Sequence, residues 1–290
     1  MANRVMLACL LLLCTAGCSR NKQTDLVTFP LRGEIVRLDS ANGIVTVAHQ
    51  AIPNYMNAMT MPFSVHDRGL IRGLNAGDSI SATLAVSRTE SWLEQIAVVG
   101  RGETPPPTLT ADEIITAHVF RTGEAFPGER LLNQDGKDVS TESYRGKVLA
   151  LTFVYTRCPL PDFCIRMSTQ FASVQRSLGQ DPALAGKWHL FSVSFDPKFD
   201  RPGVLKRYAA EYGADLSTWD FLTDPDTSGP AIRRLADGLG LEYSPDEGLI
   251  DHNLRTVVID QEGNLRKVIN GNQWKPEELT AEIRNLASGS

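Results

Sequence analysis

The sequence predicts two folded units in series: a small antiparallel β-barrel, OB-like in size, followed by an α/β layer domain. Three observations lead there. Residues 28–101 hold short β-rich runs between turn signals and no helix of credible length. From residue 118 to 290, continuous apolar runs alternate with amphipathic helical segments. Between them, within residues 102–117, lies Gly102-Glu-Thr-Pro-Pro-Pro107, a stiff polar stretch suited to a domain boundary.

In the first unit the expected strands are Arg32–Leu38, Gly43–Val47, Ser79–Val86 and Leu93–Val99. Asp39-Ser-Ala-Asn-Gly43 and Ala76-Gly77-Asp78 are the turns that separate them. In the second, Leu131–Val139 contains Asp135-Gly136, a hairpin signal. Val148–Tyr155 is a nearly continuous apolar run, as expected of a buried strand, and Trp188–Phe195 reads as another buried strand. Met167, Phe171, Val174 and Leu178 recur at helical spacing. Val204–Tyr212 and Pro230–Leu239 read as amphipathic helices, and Thr256–Asp260 with Leu265–Ile269 as a second hairpin. Pro276–Ala287 closes the chain as a helix, with Pro276 in the first turn.

Composition narrows the function classes. The chain has 290 residues, 42% apolar and 22% charged, which argues against a disordered, collagen-like or many-spanning chain. Its 29 basic and 34 acidic residues give 29 − 34 = −5, so it lacks the basic footprint of a nucleic-acid binder. Residues 1–17 carry one positive charge, an apolar run from Val5 to Cys14, and small residues before Cys18, the pattern of a secretory signal peptide. The run is shorter than the about 20 residues that span a bilayer. Thr15-Ala16-Gly17-Cys18 resembles the bacterial lipoprotein signal, with Thr15 where that pattern prefers Leu. The resemblance implies cleavage before Cys18, lipidation of that cysteine, and residues 18–27 as a tether on the periplasmic face of a membrane. Cys158 and Cys164 are then the remaining thiols, in a compartment that permits disulfides.

These two cysteines lie in Thr156-Arg-Cys158-Pro-Leu-Pro-Asp-Phe-Cys164, between a buried strand and a helix. A helix N-terminus favours thiolate over thiol, and thiolates serve both redox chemistry and soft-metal binding. Spacing alone leaves a structural disulfide, a redox pair and a metal site open. Phe153-Val-Tyr-Thr-Arg-Cys158-Pro, Ser192-Val-Ser-Phe-Asp196-Pro, Asp251-His252 and Gly271-Asn-Gln-Trp-Lys-Pro-Glu-Glu278 together resemble the Sco (SenC) family of membrane-anchored copper proteins over residues 120–287. The resemblance implies a thioredoxin-like fold and copper bound by Cys158, Cys164 and His252, with a Cys158–Cys164 disulfide when oxidised. It also implies a role at the binuclear copper site of cytochrome c oxidase, by delivering copper to that subunit or by keeping its cysteines reduced. The family's common motif has three residues between the cysteines; this chain has five.

Two thiolates and an imidazole suit copper(I) and copper(II), and zinc accepts the same donor types. Asp251-His-Asn-Leu254 lacks the proline that thioredoxin-like oxidoreductases place there, which favours metal over general disulfide exchange. The chain before Cys158 also lacks the proline and threonine spacing of peroxiredoxins. His189 is expected to pack in its strand, His118 has a weak claim as a ligand, and Asp196 is expected to orient the cysteine loop or cap a turn.

The first unit holds a second soft-metal signal. Three of the six methionines, Met56, Met59 and Met61, fall within six residues after His49. On a strand Met59 and Met61 share a face. Thioethers suit copper(I) and are poor ligands for zinc. His49-Gln-Ala-Ile-Pro-Asn-Tyr-Met56-Asn-Ala-Met59-Thr-Met61 resembles the periplasmic Cus-type copper chaperone, and the likeness covers residues 31–99. It implies copper(I) at His49, Met59 and Met61. Met56 stands where that family has a metal-stacking tryptophan and is a further candidate thioether. Trp92 is expected to pack in the barrel and His66 to be exposed. The expected protein is a copper chaperone, with a thiol–disulfide oxidoreductase and a copper-tolerance protein as alternatives.

Overall fold

The computed structural model describes residues 26–53, 55–56, 58–87, 90–101, 120–241, 243–244 and 250–289. The signal peptide, Cys18, the tether up to residue 25, the Pro-rich linker and His118 lie outside the described residues.

The first unit is built from β1 (Val27–Asp39), β2 (Ile44–His49), β3 (Met59–Ser64), β4 (Asp78–Val86) and β5 (Ser91–Arg101). A short 3-10 turn, Arg68–Ile71, is its only helical piece among the described residues. Alternate residues on each strand point inward, so Leu31, Ile35, Val45, Val47, Met61, Phe63, Ile80, Leu84 and Leu93 form a common core. The strands pair in the order β1-β2-β3-β5-β4, and β4 returns to β1, so the sheet closes. Four of the pairings are antiparallel. The fifth departs from the sequence expectation: β3 meets β5 through one parallel bridge, Ser64–Trp92. Two chain reversals, before and after β4, set β5 running with β3. Gly33 permits close approach at one rim. A Cβ there would lie 2.5 Å from the Ala48 carbonyl oxygen and 2.7 Å from the Cα of His49.

The second unit opens with a hairpin, β6 (Leu131–Leu132) and β7 (Asp138–Val139). Its central elements are β8 (Val148–Val154), α1 (Arg166–Gly179), β9 (Trp188–Ser194), α2 (Pro202–Glu211), β10 (Trp219–Leu222) and α3 (Pro230–Gly238). A two-residue pair follows, β11 (Tyr243–Ser244) with β12 (Asp251–His252), then β13 (Arg255–Ile259), β14 (Leu265–Asn270) and α4 (Pro276–Ala287). The main sheet runs β10-β9-β8-β13-β14. Strands β8, β9 and β10 are parallel, and β13 and β14 antiparallel. Every residue of β8 and β9 is buried, which accounts for their largely apolar composition. Helix α1 packs on α4 and the central strands, and α2 packs on β10.

Local sequence explains the helix starts. Pro202, Pro230 and Pro276 each stand in a first turn, where the missing N–H costs nothing. The α3 start is capped from a distance: the Asp224 carboxylate accepts from the N–H groups of Ala231 at 2.7 Å and Ile232 at 3.2 Å. Strand β10 has no counterpart in the sequence reading. It is four residues long and carries Asp220 in its middle, a buried charge that His189, Gln134 and Asn133 neutralise by hydrogen bonds.

Candidate metal sites

The loop from β8 to α1 carries both cysteines. Thr156 begins it and is pinned by Asp200, whose carboxylate accepts from the Thr156 N–H at 2.9 Å and hydroxyl at 2.5 Å. Asp200 also accepts from the Ser194 hydroxyl at 2.5 Å. Next, Arg157 donates to Asp196 at 2.6 Å, so Asp196 does orient the cysteine loop, through Arg157. The Arg157 guanidinium also lies over the ring of exposed Phe199, 4.7 Å from its centre. The loop then makes one wide π-type turn, Pro161–Ile165, before α1.

Cys158 and Cys164 are free thiols here, and both are buried. The Cys158 sulfur lies 4.0 Å from the Leu160 carbonyl oxygen, and Cys164 and His252 are the side chains that act on it most strongly. Burial opposes a charge on Cys158. Hydrogen bonds from Cys164 and His252, with backbone groups of Cys164 and Leu160, outweigh it and hold the thiol well below its ordinary pKa. Cys164 goes the other way, pushed well above the usual range by burial and by the neighbouring Cys158 sulfur. Of the two, Cys158 is therefore the sulfur that gives up its proton more readily.

His252 stands on β12 and reaches the loop from the opposite side. Its Nδ1 lies 2.8 Å from the Asn253 carbonyl oxygen, which can only accept, so Nδ1 carries a proton and Nε2 faces away from that carbonyl. Its ring sits among Phe195, Phe163 and Tyr155, with centroids 4.6, 5.6 and 5.8 Å away. The Tyr155 N–H approaches the Cys164 sulfur at 3.4 Å. Two cysteine sulfurs and an imidazole thus share a buried, aromatic-lined setting, and these donor types fit copper(I). Among the described residues no three His, Cys, Asp or Glu side chains close around a common point.

The barrel residues converge as well. His49 and Met59 are direct cross-strand partners, and Met61 follows two residues along on the same face. His49 and Met61 are buried, Met59 half-buried. His49 repeats the device of His252: its Nδ1 lies 2.8 Å from the Gln50 carbonyl oxygen, which directs the Nε2 lone pair away from the backbone. Met56 is buried, in a turn closed by a bridge between Ile52 and Met56. Trp92 is half-buried and stacks on exposed His66 at 4.7 Å rather than filling the barrel core. His189 packs in β9 as expected, 2.9 Å from Asp220.

Sequence reasoning missed the residues that join the two sites. Asp162, inside the lengthened loop, accepts from Ser91 of β5: from its N–H at 2.8 Å and, in a very short contact, its hydroxyl. Tyr55 of the barrel is partly buried near Asp162 and Cys158, and burial with those two negative neighbours pushes its phenol well above the usual range. A polar residue between two cysteines was the available signal, but its partner is 71 positions away.

A thioredoxin-like sheet whose first long loop sets a dithiol opposite an imidazole defines a class: proteins that handle thiol redox state or a soft metal. The chain belongs to the SCO1/SenC family, whose profile matches residues 120–288. A second profile, described as the copper binding periplasmic protein CusF, matches residues 28–98. A SCO1 protein homolog of Bacillus subtilis is 28% identical over 158 residues, covering 54% of this chain and 79% of that protein. A SCO2-like protein of Rickettsia typhi is 26% identical over 171 residues, covering 57% and 77%. Among solved structures, a SCO1/SenC family lipoprotein from Bacillus anthracis superposes with a TM-score of 0.51. It is 24% identical and covers 58% of this chain and 99% of that one, a likeness of fold. Among the described residues no helix is long and apolar enough to cross a membrane.

Proposed function

We propose that this chain is a periplasmic, lipid-anchored copper chaperone with an OB-like barrel. It binds copper(I) at His49, Met59 and Met61 in the barrel, with Met56 shielding that site. It binds copper at Cys158, Cys164 and His252 in the thioredoxin-like domain and hands it to a recipient, the binuclear copper site of a cytochrome c oxidase subunit. The observation that carries this reading is the packing of the His252 ring on the cysteine loop: it lies 5.6 Å from Phe163, the residue before Cys164, and 5.8 Å from Tyr155, with both cysteines buried in that loop. The match of residues 28–98 to a copper-binding profile supports the barrel half.

Copper, the cargo, would enter as copper(I) and bind first to the Cys158 thiolate. Cys164 then gives up its proton on coordination and His252 closes the set through Nε2. A Cys158–Cys164 disulfide removes both thiolates, so redox state gates the site. The test is copper(I) competition with a chromophoric chelator, on reduced and fully oxidised protein carrying Met59→Ala and Met61→Ala. Reduced protein holds copper and oxidised protein releases it; equal affinities would overturn the assignment.

One observation favours a second reading. A depressed Cys158 beside an elevated Cys164 is also how a nucleophilic and a resolving thiol are arranged in a disulfide reductase. His252→Ala separates the two: a chaperone loses copper, whereas a reductase keeps turning over a disulfide substrate.

A further inference from the structure

The two candidate sites open onto one space. A pocket of about 160 Å³ lies between the domains, with Met59 and Met61 on the barrel side and Phe163, His252, Arg255 and Asn272 on the other. Soft donors from both ligand sets therefore line one enclosure, which lies beside the cysteine loop through Phe163 and His252.

The contact that closes this space is specific. Asp162 is 6% exposed and carries two bonds from Ser91, one from the backbone and one from the hydroxyl. Its other oxygen is held by Arg166 at 2.8 Å, and its own carbonyl accepts from the Asn272 side chain at 2.5 Å. A buried carboxylate with this many donors is a built joint, because a buried charge is tolerated only when its partners are in place. Asp162 is one of the five residues between the cysteines.

We propose that the pocket is a copper(I) transfer chamber. In it the ion leaves Met59 and Met61, is carried by His252, and settles on Cys158 and Cys164, while Asp162 clamps the barrel over the path. The inference rests on the two-site reading above. Each step is ligand exchange: one of the copper bonds to Met59, Met61 and finally His49 breaks as one copper–imidazole or copper–thiolate bond to His252, Cys158 or Cys164 forms. Copper stays in the +1 state and no electron moves. Cys164 releases one proton to solvent when it coordinates.

The experiment uses the full-length chain with Cys158 and Cys164 oxidised and one copper(I) loaded on the barrel. A phosphine reduces the disulfide, which supplies the two electrons, while a water-soluble chromophoric copper(I) chelator is present in excess. Thiolate-to-copper absorption reports arrival at the cysteines and chelator colour reports escape. The chamber predicts a transfer rate independent of protein concentration, with little copper captured. Ser91→Asp places a carboxylate against Asp162 and opens the clamp without touching a ligand. Capture should then rise about tenfold or more, the worth of one charge-assisted hydrogen bond. A wild-type rate that scales with protein concentration overturns the proposal and needs no variant. So does Ser91→Asp protein that keeps both copper-binding sites and transfers its one copper ion as wild type does. Failure of the two-site reading looks different: the barrel takes up no copper at the outset.

Discussion

Asp200 offers the sharpest test of how the fold holds the cysteine loop. It is fully buried and accepts three hydrogen bonds, two from Thr156 and one from Ser194. Asp200→Ala strips all three donors of their acceptor. A buried unsatisfied donor costs about 1–3 kcal/mol. The two hydroxyls can rotate elsewhere but the Thr156 N–H cannot, so the expected loss is roughly 2–4 kcal/mol. Asp200→Asn should cost less than about 1 kcal/mol. Its amide oxygen keeps the Thr156 N–H and Ser194, and the Thr156 hydroxyl turns to accept from the amide NH₂. The pH dependence follows from the sign of the shift. Burial raises the Asp200 pKa against the pull of its hydrogen bonds. Its contribution is therefore full below the unfolded value of about 3.9 and declines as pH rises through the raised folded value. The Asn variant lacks that decline, so its stability relative to wild type should improve as pH rises across this window. The assay is urea unfolding followed by tryptophan fluorescence, dominated by buried Trp188, Trp219 and Trp274 of the second domain. The alkylation rate of Cys158 is measured alongside and should rise in the Ala variant as the loop loosens. Asn as damaging as Ala, or Ala without effect on either readout, would refute the reasoning.

Two further predictions test other parts of the scaffold. Asp220 is held below the usual carboxylate range: burial pushes it up, but hydrogen bonds from His189, Gln134 and Tyr144 prevail. The stability it contributes is present above the unfolded value of about 3.9 and lost as pH falls through the lowered folded value. Asp220→Asn should cost about 1–3 kcal/mol at neutral pH and flatten the acid limb of a stability profile; an unchanged limb would count against the network. Gly33→Val forces a side chain against Ala48 and the Cα of His49, so the barrel should lose copper(I) affinity by at least about tenfold. The cysteine site, probed in the same protein, should not change.

Much of this architecture is legible in the chain because single residues decide it. Alternation through Val45 and Val47 announces a half-buried strand, whereas β3 (Met59–Ser64) is not among the expected strands, and Pro276 with Leu279 and Ile283 announces α4. The ligand candidates are legible for a similar reason: Met59 and Met61 share a strand face, and Cys158 and Cys164 share a loop. What stays hidden depends on partners far along the chain. Strand β10 is too short to show a period, and Asp220 looks like a surface charge until His189, 31 residues earlier, is placed against it. The same holds for Asp162 and Ser91, which no local pattern links. The parallel seam between β3 and β5 rests on one bridge, so it too leaves no sequence trace.

The central claim is two independent soft-metal sites on one chain. Copper(I) stoichiometry of reduced, anaerobic protein, beside Cys158→Ala and Met59→Ala, tests it most directly. The account predicts two copper ions in the parent and one in each variant, with the surviving site's affinity unchanged. One copper ion in the parent, lost only in Met59→Ala, would leave Cys158 and Cys164 as a redox pair and contradict the chaperone reading of the second domain. One lost only in Cys158→Ala would make the barrel a docking module and contradict the first.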